Sequence, residues 1–198
     1  IYSAYNYFVE AIKQLVDKIS GATLSSIGNM LVDNKEQSLK IFNEFNGLIF
    51  FLATILCVPF FFMINQFISV WYEGKIATTG VLGILFTIIL FYQIIRIPLK
   101  VFTLSSGKFK EIKIFVIFEI IINLTVSLVL VNKLGIVGVL IGTIISLLAA
   151  DFATKPIVIF KKILETTPGK YYIMCICNFI FAIVEIVWIN FAFKTVYT

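Results

Sequence analysis

The chain has 198 residues, of which 60% are hydrophobic and 14% are charged, and its mean hydropathy is +1.03. Soluble domains usually contain about 45–50% apolar and about 25% charged residues. A water-soluble fold cannot cover that much apolar surface, so the composition excludes this class and predicts a membrane protein. The cysteines lie in apolar segments, and the Cys-Ile-Cys spacing does not fit a zinc site, which indicates inert thiols at Cys57, Cys175 and Cys177.

The first segment, residues 3–31, predicts an amphipathic helix long enough to span a bilayer. Its polar residues recur at intervals of three and four and therefore share one helix face: Asn6, Glu10, Lys13, Asp17, Ser20 and Gly21. Charges at membrane depth normally face a bundle interior or a watery cavity, so we interpret the segment as a cavity-lining span. The alternative is a helix lying flat on the membrane. Mutual neutralisation of Glu10, Lys13 and Asp17 explains the stripe as well as ligand contact does.

Five further stretches are apolar and long enough to cross a bilayer as helices, namely residues 46–70, 80–102, 112–131, 134–160 and 171–193. The fourth and fifth of the six spans form a hairpin with Asn132-Lys133 as its predicted turn. The glycines that follow the turn are spaced three and four apart, which predicts a small-residue face for close helix approach: Gly135, Gly138 and Gly142. The predicted fold is all-α, a polytopic membrane protein with six transmembrane helices.

Lysine and arginine are concentrated on one side of this topology. Most of the lysine and arginine residues lie in the loops after spans one, three and five. Lys155, near the end of span five, is assigned to the loop that follows it. The loops after spans two and four and the C-terminus carry only Lys75, Lys133 and Lys194. The positive-inside rule places the cation-rich loops in the cytoplasm and both chain ends outside. The net charge of +5 is thus a topology signal, and without a basic stripe on a soluble domain we expect no nucleic-acid partner.

Enzyme chemistry finds little support in the sequence. The chain has no histidine, the commonest general base and metal ligand, and it has no nucleophile elbow, phosphate-binding glycine loop or metal-spaced cluster. We therefore expect no metal and no cofactor. The unusual feature is a set of ionisable residues at predicted membrane depth, which are functional-site candidates by default: Glu10, Lys13, Asp17, Arg96, Glu119, Asp151 and Glu185. Three of them fall in the cytoplasmic half, where mutual ion pairing is an equally good interpretation: Arg96, Glu119 and Asp151.

A series of short motifs occurs in a characteristic order over most of the chain. They include Ile1-Tyr-Ser-Ala-Tyr-Asn-Tyr, Ser26-Ile-Gly-Asn29, Trp71-Tyr-Glu-Gly, Arg96-Ile-Pro, Glu119-Ile-Ile-Ile-Asn123 and the glycine-rich residues 134–146. Through this order the chain resembles the Wzx-type repeat-unit flippases of the multidrug/oligosaccharidyl-lipid/polysaccharide exporter superfamily. The resemblance implies a two-lobe exporter fold with a central cavity and alternating access. Residues 1–198 would form most of one helical lobe, a fragment of a larger transporter whose N-terminal lobe is missing.

The function that this resemblance implies is transport in which no covalent bond is broken, so we expect a transporter and not an enzyme. The intact protein would move undecaprenyl-diphosphate-linked sugar repeat units across the bacterial cytoplasmic membrane for O-antigen or capsule synthesis. Its partners would be that lipid-linked sugar, membrane lipid and the N-terminal lobe.

The diphosphate is anionic, so its binding site should contain cations. Arginine suits an oxyanion because the planar guanidinium donates two hydrogen bonds to it at once. The implied substrate-binding residues are Arg96, Lys100, Lys13 and Lys18. The candidates for ion or proton coupling, or alternatively for ion pairing with these cations, are Glu10, Asp17, Glu119 and Asp151.

Three alternative functions remain open at this point. A cation-coupled multidrug antiporter of the same superfamily would take a cationic substrate and would favour an acidic cavity. A membrane-embedded polysaccharide polymerase or transferase would need a sizeable loop carrying acidic or arginine chemistry, and no predicted loop is that long. A purely structural membrane scaffold would need the buried charges for abundance only.

Overall fold

The computed structural model describes residues 1–23, 26–27, 35–75 and 79–196. All regular structure in these ranges is helical, which confirms the all-α prediction. The elements in chain order are α1 (Tyr2–Gly21), α2 (Lys35–Trp71), α3 (Gly80–Ile95), α4 (Ile97–Ser106), α5 (Lys110–Leu134), α6 (Ile136–Ser146), a π-helical turn (Leu147–Phe152), α7 (Ala153–Lys162) and α8 (Gly169–Val196).

Five stretches of helix are long and apolar enough to cross a membrane: Gln37–Trp71, Gly80–Ser106, Lys110–Leu134, Ile136–Lys162 and Gly169–Ala192. They correspond to predicted spans two to six and are compatible with a multi-pass membrane protein. Two of them are composite, since α3 continues into α4, and α6 continues through the π turn into α7. Helix α1, with 20 residues, has the length of a span but is more polar, because it carries Glu10, Lys13, Asp17 and Lys18.

Helix α1 is shorter than predicted, and most of its charged residues are half-buried beside a buried face that is mainly apolar. It ends at Gly21, whereas the predicted span continued to residue 31; residues 28–34 lie outside the described part of the chain. Glu10 and Asp17 are half-buried, while Leu15 and Ile19 on another face are 57% and 52% exposed. An exposed apolar face opposite a half-buried charged face is the reverse of a water-soluble helix. The cavity-lining span stays a prediction, since α1 is not among the five helices that are long and apolar enough to cross a membrane.

Helices α5 and α6 form the predicted hairpin, but its turn lies later than predicted. Helix α5 continues through Asn132 and Lys133, and the chain reverses at Gly135. The φ of Gly135 is +57°, a backbone angle that residues other than glycine rarely adopt. A Cβ on Gly138 would lie 2.5 Å from the carbonyl oxygen of Leu130, and a Cβ on Gly142 would collide with Ser127. The predicted close approach is thus confirmed at Gly138 and Gly142, where α5 is the neighbouring helix, whereas Gly135 lies in the turn with open space around it.

The buried core lies where α1, α2, α3 and α4 pack together, and its largest fully buried side chains include Tyr5, Phe42, Phe86, Leu90 and Phe102. Helix α5 lies at the periphery, because Ile112 is the only residue buried along its described length. The apolar side chains on the outer surface of α5 therefore face whatever surrounds the chain, which for a membrane protein is lipid or further protein. The polar residues described below lie between this peripheral hairpin and the core.

Candidate functional site

Arg96 lies at the junction of α3 and α4, and the break follows from Pro98. Proline has no N–H to donate to the carbonyl of Ile94 four residues earlier. The backbone N–H of Arg96 donates to the carbonyl of Tyr92 at 3.2 Å, and Arg96 ends α3 with φ −80° and ψ −7°. The helix is interrupted at Arg96 and resumes as α4, so the two pieces form one span with a local irregularity in it. The guanidinium projects from this irregularity toward α5 and the π turn.

Asp151 lies in the π turn that joins α6 to α7. As at Arg96, a proline follows shortly after, here Pro156 in α7. Pro156 cannot donate to the carbonyl of Phe152, and the hydroxyl of Tyr172 on α8 donates to that carbonyl at 3.2 Å. The π turn places Asp151 on the buried side, with its side chain only 3% exposed. Single π turns within α-helices are frequent at functional sites.

Four charged side chains meet at this position and form what we call the ion network: Arg96, Glu119, Asp151 and Lys155. The Nη1 atom of Arg96 lies 3.7 Å from Oε1 of Glu119 and 3.5 Å from Oδ2 of Asp151. The Nζ atom of Lys155 lies 3.0 Å from Oε2 of Glu119 and also contacts Oδ1 of Asp151. The hydroxyl of Tyr92 donates to Oδ2 of Asp151 at 2.7 Å. Two cations thus face two carboxylates, which makes the network electrically balanced.

The ion network borders a cavity of about 350 Å³ that we call the polar groove. The charged side chains that line it are four cations and two carboxylates: Lys13, Arg96, Lys100, Lys155, Asp17 and Asp151. At the outer end of the groove, Nζ of Lys100 lies 2.9 Å from Oδ1 of Asp17, and both side chains are partly exposed. Lys13 pairs with Glu10 at 3.0 Å. The uncharged polar residues on the wall are Gln93 and Thr103, and the side-chain oxygen of Gln93 is buried without a hydrogen-bond partner in the described part of the chain.

The ion network lies deep within the predicted spans. Arg96, Glu119 and Asp151 are separated from the nearest span ends, Ser106, Lys110 and Lys162, by ten, nine and eleven residues. At 1.5 Å per residue, these separations correspond to about 14–17 Å along the helices. A hydrocarbon core of about 30 Å would then have the network near its middle. Ionised side chains at such depth are rare and usually functional.

The structure brings together most of the residues that the sequence singled out. Arg96 forms ion pairs with both Glu119 and Asp151, as one of the two interpretations of these residues expected. Lys13, Lys100 and Asp17 line the same groove, and Glu10 joins it through Lys13. Lys18 does not line the groove and is exposed on α1. Glu185 lies in a different cleft, between α2 and α8.

Sequence reasoning missed Lys155 and Tyr92. Lys155 was assigned to a cytoplasmic loop, but it lies inside α7, with its side chain only 16% exposed. The available signal was its spacing of four residues from Asp151, the separation at which opposite charges meet on a helix. Tyr92 lies one helical turn before Arg96, but an aromatic residue in an apolar span is ordinarily a packing residue. Its hydrogen bond to Asp151 depends on tertiary contact that no local pattern shows.

No group of three or more histidine, cysteine, aspartate or glutamate side chains is arranged to hold a metal ion among the described residues. No family model, curated protein or solved structure matches this chain. The resemblance to Wzx-type flippases accordingly rests on the sequence motifs alone.

Proposed function

We propose that this chain is most of one lobe of a membrane transporter that binds an anionic lipid-linked sugar through the polar groove. The observation that carries the proposal is the convergence of four cations on one groove at membrane depth. Charges are costly at that depth and are normally retained for a function. Together with the motif order, this supports a flippase for undecaprenyl-diphosphate-linked repeat units in the bacterial cytoplasmic membrane. The N-terminal lobe of the same protein would complete the transport cavity.

The way in which Arg96 is held supports a role in binding an oxyanion. Its contacts with Glu119 and Asp151 are 3.7 and 3.5 Å long, whereas charge-assisted hydrogen bonds usually measure about 2.7–2.9 Å. The guanidinium has five N–H donors in a planar fork and is 29% exposed, so donors remain for an incoming ligand. A diphosphate entering the groove would take bidentate hydrogen bonds from Arg96 and displace it from the carboxylates.

Lys155 and Lys100 would add positive charge on either side of this site. Lys155 has carboxylate partners in the ion network, and Lys100 has Asp17. Exchange of these ion-pair partners for phosphate oxygens would couple the presence of substrate to the packing of α1, α4, α5 and α7. The apolar outer surface of α5 would leave the lipid tail in the bilayer. Rocking of this lobe against the other would then expose the sugar on the far side.

The alternatives fit the groove less well. A multidrug antiporter for cations would favour an acidic cavity, whereas the four cations that line the polar groove are matched, with no acidic excess, by four carboxylates: Glu10, Asp17, Glu119 and Asp151. A polymerase or transferase would need a large catalytic loop, and the described connections at 107–109 and 163–168 are short.

Binding of undecaprenyl diphosphate tests the proposal directly. In native mass spectrometry of the protein in nanodiscs, we expect the diphosphate lipid to bind and the neutral alcohol undecaprenol not to bind at the same concentration. Arg96→Ala should weaken binding at least tenfold, or about 1.4 kcal/mol. The matched control is Lys161→Ala, which removes an exposed cation near the end of α7. Equal binding of alcohol and diphosphate, or equal losses in the two variants, would contradict the proposal.

A further inference from the structure

A second cleft separates α2 from α8, well away from the polar groove. The two helices pack together near one end, where Asn46 approaches Met174 at 3.9 Å and the rings of Phe42 and Tyr171 lie 6.0 Å apart. Beyond this point the helices diverge and leave a cleft of about 810 Å³. Its wall includes polar and aromatic side chains together with Ile55: Phe51, Thr54, Ile55, Asn178, Glu185 and Trp188.

Most of the polar atoms that this cleft presents are hydrogen-bond acceptors. Asn178 donates one of its two amide N–H groups to the carbonyl of Met174 at 2.8 Å, which leaves its side-chain oxygen and the second N–H. Thr54 donates its hydroxyl proton to the carbonyl of Phe50 at 3.1 Å. The carbonyl of Ile55 lacks its usual helical donor, because the residue four positions later is Pro59. The cleft therefore presents several oxygen lone pairs, and its side-chain donors among the described residues are one amide N–H of Asn178 and the indole N–H of Trp188.

Glu185 supplies the charge in this cleft. It is half-buried, it forms no ion pair with any residue in the described ranges, and no lysine or arginine lines the cleft. Asn178 and Glu185 are seven residues apart, two helical turns, so both lie on the same face of α8. A single carboxylate at membrane depth without a partner is costly, and a cation would relieve that cost.

Aromatic rings complete the lining. Phe51 on α2 and Phe181 and Trp188 on α8 border the cleft. The faces of such rings attract cations, tryptophan most strongly. A bare metal ion fits poorly, because a hard cation prefers six or more oxygen ligands close around it, and this cleft is wide and has one carboxylate. A large cation with an apolar body matches both the carboxylate and the rings.

We propose that the cleft between α2 and α8 is a binding site for a lipophilic organic cation, an ammonium or phosphonium centre carrying apolar substituents. The cationic centre lies against Glu185 and Trp188, and the apolar body fills the space beside Phe51 and Phe181. This site is independent of the polar groove and of the anionic substrate proposed for it.

Binding of radiolabelled tetraphenylphosphonium to the purified protein in nanodiscs tests this proposal. We expect saturable binding that dodecyltrimethylammonium displaces and dodecanol does not. Glu185→Gln should weaken binding at least tenfold, Glu185→Asp should retain most of it, and Trp188→Leu should weaken it about two- to fivefold, as expected for one cation–π contact. The matched control is Glu111→Gln, which removes the same charge from an exposed ion pair with Lys162.

Three results would overturn the proposal: unchanged binding in Glu185→Gln, equal losses in Glu185→Gln and Glu111→Gln, or displacement by dodecanol as effective as that by dodecyltrimethylammonium. The first would remove Glu185 from the site. The second would reduce the effect to overall charge, and the third to apolar partitioning. Arg96→Ala should leave tetraphenylphosphonium binding unchanged, so this site can fail while the polar groove stands, or the reverse.

Discussion

Replacing Asp151 with leucine should lower the free energy of unfolding by about 3–5 kcal/mol, the usual cost of breaking a buried ion pair by removing one partner. The Asp151 side chain is 3% exposed, and it contacts Arg96, Lys155 and the hydroxyl of Tyr92. Without it, two cations at membrane depth share Glu119 alone. Thermal or chemical unfolding of the purified protein in detergent measures this loss.

The control for this prediction is Asp17→Leu, which makes the same change at the outer end of the polar groove. Asp17 pairs with Lys100, whose side chain is 53% exposed. Water and counterions can replace that partner, so the expected loss is below about 1 kcal/mol. Similar losses in the two variants would show that burial does not determine the strength of the ion network.

Arg96→Ala should abolish delivery of lipid-linked sugar to the cell surface, and Arg96→Lys should retain part of it. Alanine removes the cation that the proposed diphosphate needs. Lysine restores the charge but not the planar fork, so it binds an oxyanion as a point charge without bidentate geometry. The measurement is surface delivery in cells that depend on the intact parent protein, normalised to its abundance in the membrane.

Abundance separates the two roles open to Arg96. Normal abundance with lost delivery in Arg96→Ala and partial delivery in Arg96→Lys places a required cation in the transport path. Unchanged delivery in both variants removes Arg96 from the site. Loss of abundance makes Arg96 a structural partner of Glu119 and Asp151. Lys161→Ala serves as the control for loss of an exposed cation.

The features that local pattern determines could be predicted from the sequence. An apolar stretch of spanning length forms a helix because a helix satisfies its backbone hydrogen bonds within the segment, and this predicted the five long apolar helices. The spacing of Gly138 and Gly142 predicted close packing, because a side chain there has no room against α5. The ionisable residues were found because each is exceptional in its own span. The two-lobe exporter fold and the flippase function have no such local signature and remain proposals.

The features that depend on tertiary contact or on helix ends were predicted less well. The prediction of a turn at Asn132-Lys133 was wrong because both polar residues fit into the last turn of α5. The chain reverses at Gly135, where glycine can adopt the required positive φ. Lys155 was taken for a loop residue because positive charge usually marks a span boundary. Its side chain lies in the ion network because it pairs with Glu119, which lies 36 residues earlier, and with Asp151 in the π turn.

Photocrosslinking from inside the polar groove tests the central claim most directly. A diazirine-bearing amino acid is placed at Gln93, which lines the groove, or as a control at Phe118, which is 52% exposed on the outer surface of α5. Membranes containing radiolabelled undecaprenyl-diphosphate sugar are then irradiated. Our account predicts crosslinking at position 93 that excess unlabelled undecaprenyl diphosphate suppresses and that Arg96→Ala abolishes. Crosslinking at position 118 alone would show that the lipid meets only the outer surface of the protein and would contradict the account.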